Sequence, residues 1–237
     1  MSTFTESLQL ACALILSADA ELLRIAALSL RVSGTACLIG AMIGLTLGAW
    51  LAVARFPGQQ VVVWVINTLL AMPSVLVGLL VYLLLSRAGP LGSLGILFTP
   101  TAMIIAQSLL VVPLIAALSR RLILGAIREG GDQLRALGAG PTASAMLLLV
   151  HERAAVLTLL LTALGRAIAE VGAVMIVGGN INGVTRVMTT AIALETSKGD
   201  LALALALGFV LLGMVGLINA TISLLQRESA MASGPAQ

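Results

Sequence analysis

Long apolar runs dominate the chain and predict its secondary structure. They cover residues 33–54, 60–86, 96–118, 154–177 and 201–225. Each is longer than the roughly 17 residues that a helix needs to cross the hydrocarbon core of a bilayer. Only the fourth run contains charged residues, Arg166 and Glu170. We therefore predict an all-α fold, a polytopic membrane protein with about five transmembrane helices.

The residues before the first run follow a different pattern. Charged residues, among them Glu21 and Arg24, interrupt residues 1–32, so that no uncharged stretch there reaches the length of a span. We interpret this segment as an N-terminal interfacial helix or elbow. The membrane domain then covers residues 33–225, and residues 226–237 form a cytoplasmic tail.

Two features inside the runs predict the shape and packing of the helices. Gly40, Gly44 and Gly48 follow each other at four-residue spacing. Such a stripe of small residues lets a second helix approach closely. Pro73 lies near the middle of the second run, where it removes one backbone hydrogen bond and predicts a kink.

Residues 119–153 are the one long polar-leaning interval between the runs. Its arginines are Arg120, Arg121, Arg128, Arg135 and Arg153. Clustering of this kind beside spans marks a cytoplasmic segment. Residues 127–137 have a helix-compatible composition, and Gly138, Gly140 and Pro141 then form a typical helix stop. We predict a short cytoplasmic helix, a break and a second helix, which serve either as a charged connector or as the segment through which a soluble partner moves the spans.

A cytoplasmic interval 119–153 places the N-terminus outside the cell, because the spans alternate in direction. Positive residues on the inside are then Arg55, Arg120, Arg121, Arg128, Arg135, Arg153 and Arg227, seven in all. Those on the outside are Arg24, Arg31, Arg87, Arg186 and Lys198, five in all. The excess on the inside agrees with the direction that the positive-inside rule favours.

Composition excludes several classes of function. Of the 237 residues, 59% are hydrophobic and 10% charged, which leaves no room for a separate soluble catalytic domain. ATP hydrolysis needs the G-x-x-x-x-G-K-[ST] loop, whereas the only lysine, Lys198, precedes Gly199. We expect no catalytic residues, metal site or cofactor in this chain, and the thinly spread charge of +3 indicates no nucleic-acid partner.

The charged pair inside the fourth run is the first candidate for a functional site. Arg166 and Glu170 lie four residues apart, so that a continuous helix would bring them to one face, where they could pair. A central arginine costs about 2.5–3.5 kcal/mol on membrane-insertion scales, so such residues commonly face a pathway or a packed interior. The pair could line a translocation route or join this helix to its neighbours.

The polar segment after that run is the second candidate. Its polar residues are Asn180, Asn182, Thr185, Arg186, Thr189 and Thr190. Amides, hydroxyls and a guanidinium suit a tetrahedral dianion, because that ligand only accepts hydrogen bonds. A solvated loop with a short amphipathic helix is the alternative reading of the same composition.

Two stretches resemble known transporters. Asp132, Gly138, Leu148, Val150 and His151 occupy the spacing of the coupling loop of bacterial ABC importer permeases, with Asp for its Glu and His for its Pro. The run GRAIAEVGAVMIVGGNINGVTRVMTTAIALETSKGD, residues 165–199, is similar to the tungstate permease family. That family belongs to the sulfate, molybdate and tungstate permeases, which share an R-x-[IL]-x-E-[FV]-G-A stretch.

The resemblance implies a type I ABC importer permease and assigns roles to residues. Arg128, Asp132, Arg135 and Gly138 would couple the subunit to its ATPase. Arg166 and Glu170 together with the polar residues of 180–190 would line the route or its outer gate. The implied partners are a second copy of the chain, two ATP-binding subunits that hold ATP and Mg, an extracytoplasmic oxyanion-binding protein and the lipid of a bacterial or archaeal inner membrane.

Two alternatives stay open at this stage. Molybdate or sulfate could replace tungstate as the cargo, because all three are tetrahedral dianions. An ion-coupled secondary anion carrier is the other possibility, although such carriers usually show inverted repeats and midplane carboxylates. The chain shows no such repeat, and Glu170 is the only acidic residue inside a run.

Overall fold

A computed structural model describes residues 2–17, 19–136 and 138–232 of the chain. Apart from short turns, these residues form helices, and no strand occurs among them. The helices are α1 (Ser2–Leu16), α2 (Ala20–Gly40), α3 (Thr46–Val53), α4 (Gln59–Leu70), α5 (Ser74–Leu85), α6 (Pro100–Ala136), α7 (Pro141–His151), α8 (Arg153–Ile168), α9 (Gly172–Gly178), α10 (Met188–Lys198) and α11 (Leu201–Ala232). The predicted all-α fold is confirmed.

Three helical segments of the described chain are long and apolar enough to cross a membrane on their own. They are Ala20–Val53, Pro100–Gly130 and Leu201–Thr221. Two bent pairs, α4 with α5 and α7 with α8, raise the number to five if each pair is one span. The predicted polytopic architecture with about five spans agrees with this range.

The first span begins earlier than the sequence pattern suggested. The π-helical segment Ala41–Leu45 joins α2 to α3, so that one helical segment runs from Ala20. The uncharged run begins only at residue 33 because Glu21, Arg24 and Arg31 interrupt α2. Glu21 and Arg24 lie in the first two turns, where charged groups can still reach the membrane surface. The predicted N-terminal segment therefore contains α1 and the first part of this span, and its interfacial position stays a prediction.

Two of the predicted continuous spans are broken. The helix of the second run ends with α4 at Leu70 and begins again with α5 at Ser74, because Pro73 is extended and has no N–H to continue the helix. The predicted fourth span, 154–177, is also interrupted, since α8 ends at Ile168 and α9 begins at Gly172. A Cβ on Gly172 would lie 2.8 Å from Ser74 Oγ, so the chain passes very close to α5 at this break.

The described chain divides into two compact units. Unit 1 comprises Met1–Ala36, Pro73–Gln107 and Gly165–Thr221. Unit 2 comprises Cys37–Met72, Ser108–Leu164 and Ile222–Gln237. Each unit therefore draws on segments that are far apart along the chain.

Close packing of the first span against α6 organises unit 2. A Cβ on Gly44 would lie 2.8 Å from Ile115 Cβ, and one on Gly48 would contact the Ala116 carbonyl oxygen and lie 2.8 Å from Ser119 Cβ. The prediction that the glycine stripe allows close helix approach is confirmed. Ser119 Oγ donates a hydrogen bond to Leu45 O (3.1 Å), where the π-helical segment ends.

Replacing Gly48 with alanine should destabilise the subunit. Overpacking of this kind costs about 1–3 kcal/mol. Gly34 on α2 is the matched control, because nothing lies within 4 Å of an added Cβ there. We expect G48A to lower the melting temperature in detergent and G34A to leave it unchanged or slightly higher. Equal melting temperatures for the two variants would contradict the close contact.

Candidate functional site

The segment 179–187, here called the outer loop, reverses the chain after α9. Gly179, Asn180 and Gly183 have positive φ angles of 69°, 50° and 72°. These left-handed conformations favour glycine and are tolerated by asparagine, which explains the composition of the turn. A Cβ on Gly179 would lie 2.9 Å from the Phe98 ring, so the beginning of the loop lies against that side chain.

Thr185 holds this loop together. Its side chain is fully buried. Thr185 Oγ1 donates to Gly178 O (2.6 Å) and accepts a hydrogen bond from Ile181 N–H (2.9 Å). Because a hydroxyl has a single proton, this group has no donor left for a ligand.

Three further residues of the predicted anion route also bind backbone. Thr190 Oγ1 accepts from Val187 N–H and donates to Val187 O, both at 3.0 Å. Thr189 Oγ1 donates to Glu170 O (2.8 Å), and Asn180 Nδ2 donates to Thr190 O (3.3 Å). In this structure the hydroxyl protons of Thr189 and Thr190 go to carbonyl oxygens, as that of Thr185 does. Their contribution to a gate, through the shape of the loop, stays a prediction.

The remaining polar residues, Asn182 and Arg186, line a cavity of about 260 Å³ together with Glu21 and Arg24 of α2. Arg186 Nη1 lies 3.5 Å from Glu21 Oε1. The Arg186 side chain is 18% exposed and the Glu21 side chain 58%. Among the described residues, buried Arg186 Nε has no hydrogen-bond partner.

Sequence reasoning missed Glu21 and Arg24 because they belong to a segment that we interpreted as an interfacial elbow. The position of a charged residue in a helix does not show which residue, far away along the chain, it contacts. The packing beneath them brings the two segments together. Leu22 and Ile25 of α2 form a buried cluster with Met188 and Ala191 of α10, and Met188 N–H donates to buried Ser29 Oγ (2.9 Å).

Arg166 and Glu170 do not form the predicted pair. The helix ends between them, so the i to i+4 geometry of a continuous helix is lost. Within the described part of the chain, no ion pair joins their side chains. Glu170 Oε1 instead accepts a hydrogen bond from Ala173 N–H (3.4 Å), at the beginning of α9, and Arg166 is exposed.

The predicted short cytoplasmic helix is the last part of α6, which continues to Ala136. No break separates it from the preceding span, because residues 119–127 favour helix. The predicted stop is confirmed: Gly138 has φ +77°, Ala139 N–H donates to Leu134 O (3.0 Å), and α7 begins at Pro141. Arg128 is exposed, whereas the side chains of Asp132 and Arg135 lie outside the described residues.

The helices on both sides of this stop share one buried cluster. Ala145 and Leu148 of α7 pack with Ile123 and Ala126 of α6 and with Ala49 of α3. Leu134, four residues before Gly138, packs against the same cluster. A force on residues 138–140 would therefore reach α3 and α6 through packed side chains.

Similar proteins place the chain in a family. It is 43% identical over 228 residues, 96% of this chain and 100% of the relative, to the tungstate uptake system permease protein TupB of Peptoclostridium acidaminophilum. It is 42% identical over 204 residues, 84% of the chain and 88% of the relative, to a probable anion ABC transporter permease protein of Haloferax volcanii. This chain belongs to the family of tungstate and anion ABC transporter permeases.

A third relative agrees, the tungstate uptake system permease protein TupB of Campylobacter jejuni. It is 38% identical over 165 residues, 70% of this permease and 69% of the relative. No protein-family model matches the chain. The match to the first relative covers the whole length of that relative.

Removing the charges of Arg166 and Glu170 should have additive effects on the permease. The two side chains have separate surroundings, so the coupling in a double-mutant cycle should stay within about 0.5 kcal/mol. The cycle compares R166Q, E170Q and R166Q/E170Q by melting temperature and by transport. A double variant that is more stable than either single variant would show that the two charges pair.

Proposed function

We propose that this permease imports tungstate as the membrane-spanning subunit of an ATP-driven ABC transporter. The observation that carries the proposal is the 43% identity to a tungstate uptake permease over 96% of the chain. A second tungstate uptake permease and an anion permease among the relatives support the same class of cargo. Molybdate and sulfate are the competing cargoes, because guanidinium and amide donors suit any tetrahedral dianion.

The assembly in this proposal contains two copies of the permease, two ATP-binding subunits and an extracytoplasmic binding protein. In this proposal the energy comes from a separate subunit, because Lys198, the only lysine, lies outside any phosphate-binding loop. Exposed Arg166 at the end of α8 supports a second copy, since a charge at membrane depth is costly unless protein or water covers it. The apolar window of α11 is only 17% buried within a single copy, so lipid or that second copy covers the rest.

In the membrane, we propose that the N-terminus and the outer loop lie outside and the stop at Gly138 lies in the cytoplasm. The cavities agree with this topology, because the residues that line each cavity all belong to one side in it, whereas the direction rests on the excess of positive residues inside. Arg24 and Arg186 line one cavity. Arg55, Arg120 and Pro141 line another of about 830 Å³.

Reconstituted transport tests the proposed function. The permease, its ATPase and its binding protein are placed in proteoliposomes, and tungstate uptake is measured with ATP inside and with each component omitted. We expect uptake that requires all three, with tungstate preferred over molybdate and sulfate in competition. Uptake by the permease alone, driven by an ion gradient, would show a secondary carrier instead.

Replacing Gly138 with alanine should uncouple ATP hydrolysis from transport. Alanine at a positive φ costs about 1–2 kcal/mol, so the stop between α6 and α7 should shift. Gly140 is the matched control, since both positions have open space around an added Cβ but Gly140 has φ −67°. We expect G138A to hydrolyse more ATP per transported anion and G140A to behave as wild type. Identical coupling ratios in the two variants would contradict a coupling role for this stop.

A further inference from the structure

We propose that Arg24 and Arg186 form a transient binding site for the tetrahedral dianion, in which the anion takes the place of the Glu21 carboxylate. The proposal rests on the proposed function for the identity of the anion. It adds a site that includes α2, a helix outside the stretch that resembles the tungstate permeases most closely. The site is the cavity of about 260 Å³ between the beginning of α2 and the outer loop.

The geometry places two guanidinium groups around this cavity. Arg186 is held by the outer loop and is mostly buried. A Cβ on Gly183 would lie 3.8 Å from Arg24 Nη1, so the Arg24 head lies beside the loop at a glycine. Asn182 adds an exposed amide to the lining. Arginine presents several N–H donors in a fixed plane, which matches the oxygens of a tetrahedral dianion.

The buried Nε of Arg186 indicates that the site is incomplete. It has no hydrogen-bond partner among the described residues, although its Nη1 faces Glu21. A buried donor without a partner is destabilising, because it has lost its hydrogen bonds to water. An anion that accepts from both Nε and an Nη would satisfy this donor, whereas the Glu21 carboxylate reaches only Nη1 in this structure.

The charge balance favours exchange of the carboxylate for a dianion. Arg24, Arg186 and Glu21 together carry a formal charge of +1, so the cavity still attracts a doubly charged anion. The Glu21 side chain is 58% exposed, and its oxygen lies 3.5 Å from Arg186. An ion pair this exposed stabilises only weakly, because water screens the two charges. The incoming dianion therefore displaces a weak interaction, while the charge-assisted hydrogen bonds that it forms are stronger than those between neutral groups.

The rest of the site is rigid enough to survive this exchange. Asp19 Oδ1 accepts from Leu22 N–H (2.8 Å) and so caps α2, which means that Asp19 is already engaged. Beneath the cavity, the Leu22, Ile25 and Met188 cluster holds α2 against α10. Displacement of Glu21 leaves these contacts intact. Because Glu21 stays on α2 beside the cavity, its carboxylate still competes with the anion. The anion therefore binds only briefly, as a transport pathway requires.

Equilibrium binding of radiolabelled tungstate tests the site. The permease and ATPase are assembled in nanodiscs of zwitterionic lipid, without the binding protein. We expect R24Q and R186Q to weaken binding about tenfold or more, which corresponds to about 1.4 kcal/mol. E21Q should strengthen binding, because the competing carboxylate is removed. R31Q is the matched control on α2: Arg31 is exposed but does not line the cavity, so binding should not change.

Three results would overturn the proposal. The first is equal binding in R24Q and R31Q, and the second is weaker binding in E21Q, which would show that Glu21 only holds the loop. The third is competition by anionic lipid that depends on Arg24, since the site would then hold a lipid phosphate. If R186Q fails to fold, R186K replaces it, and binding should still weaken because lysine lacks the planar set of donors.

The site and the proposed function can fail separately. Binding of molybdate and sulfate is measured with the same variants. Arg24-dependent binding of these anions without ATP-driven tungstate uptake would leave the site standing and overturn the proposed cargo. ATP-driven tungstate uptake that R24Q and R31Q support equally would leave the proposed function standing and overturn the site.

Discussion

The need to satisfy backbone carbonyls inside the membrane is the constraint on which the rest of this structure depends. A helix that breaks at bilayer depth frees carbonyl oxygens that water cannot reach. Polar side chains bind such oxygens at the π-helical segment and at the break between α8 and α9: Ser119 donates to Leu45 O, Gln107 to Ala167 O and Thr189 to Glu170 O. The buried side chains whose hydrogen bonds are described here therefore stabilise the fold, because they bind the protein's own backbone.

This division of roles changes the interpretation of the outer loop. Its hydroxyl groups appear in the sequence as an array of donors for an anion, yet Thr185 and Thr190 are fully buried and bind the loop's own backbone. The polar side chains that line the cavity beside the loop are instead those of Glu21, Arg24, Asn182 and Arg186. The partly exposed ion pair of Glu21 with Arg186 is compatible with an anion that binds and leaves quickly.

The parts of the structure that depend on local composition were predictable from the sequence. The apolar runs predicted the all-α fold and the approximate number of spans, the Gly40 to Gly48 stripe predicted close packing, and Gly138 with Pro141 predicted the helix stop. The break at residues 169–171 was not predictable, because its carbonyl oxygens are satisfied by Gln107 and Thr189, 60 and 19 residues away from their partners. The contact of Glu21 with Arg186 was missed for the same reason, since periodicity carries no information about which distant segments pack together.

The melting temperature and the tungstate affinity of the Thr185→Val variant test most directly whether the buried hydroxyls of this region stabilise the backbone. Valine keeps the shape of threonine but leaves Gly178 O without its donor. We expect a lower melting temperature, which corresponds to a loss of about 1–3 kcal/mol in the free energy of unfolding. Tungstate affinity should stay unchanged in the molecules that remain folded. The control is Thr196→Val, whose hydroxyl is exposed on α10 and whose loss should change neither quantity. Wild-type stability together with strongly weakened tungstate binding would contradict the account, because Thr185 would then serve the anion and not the backbone.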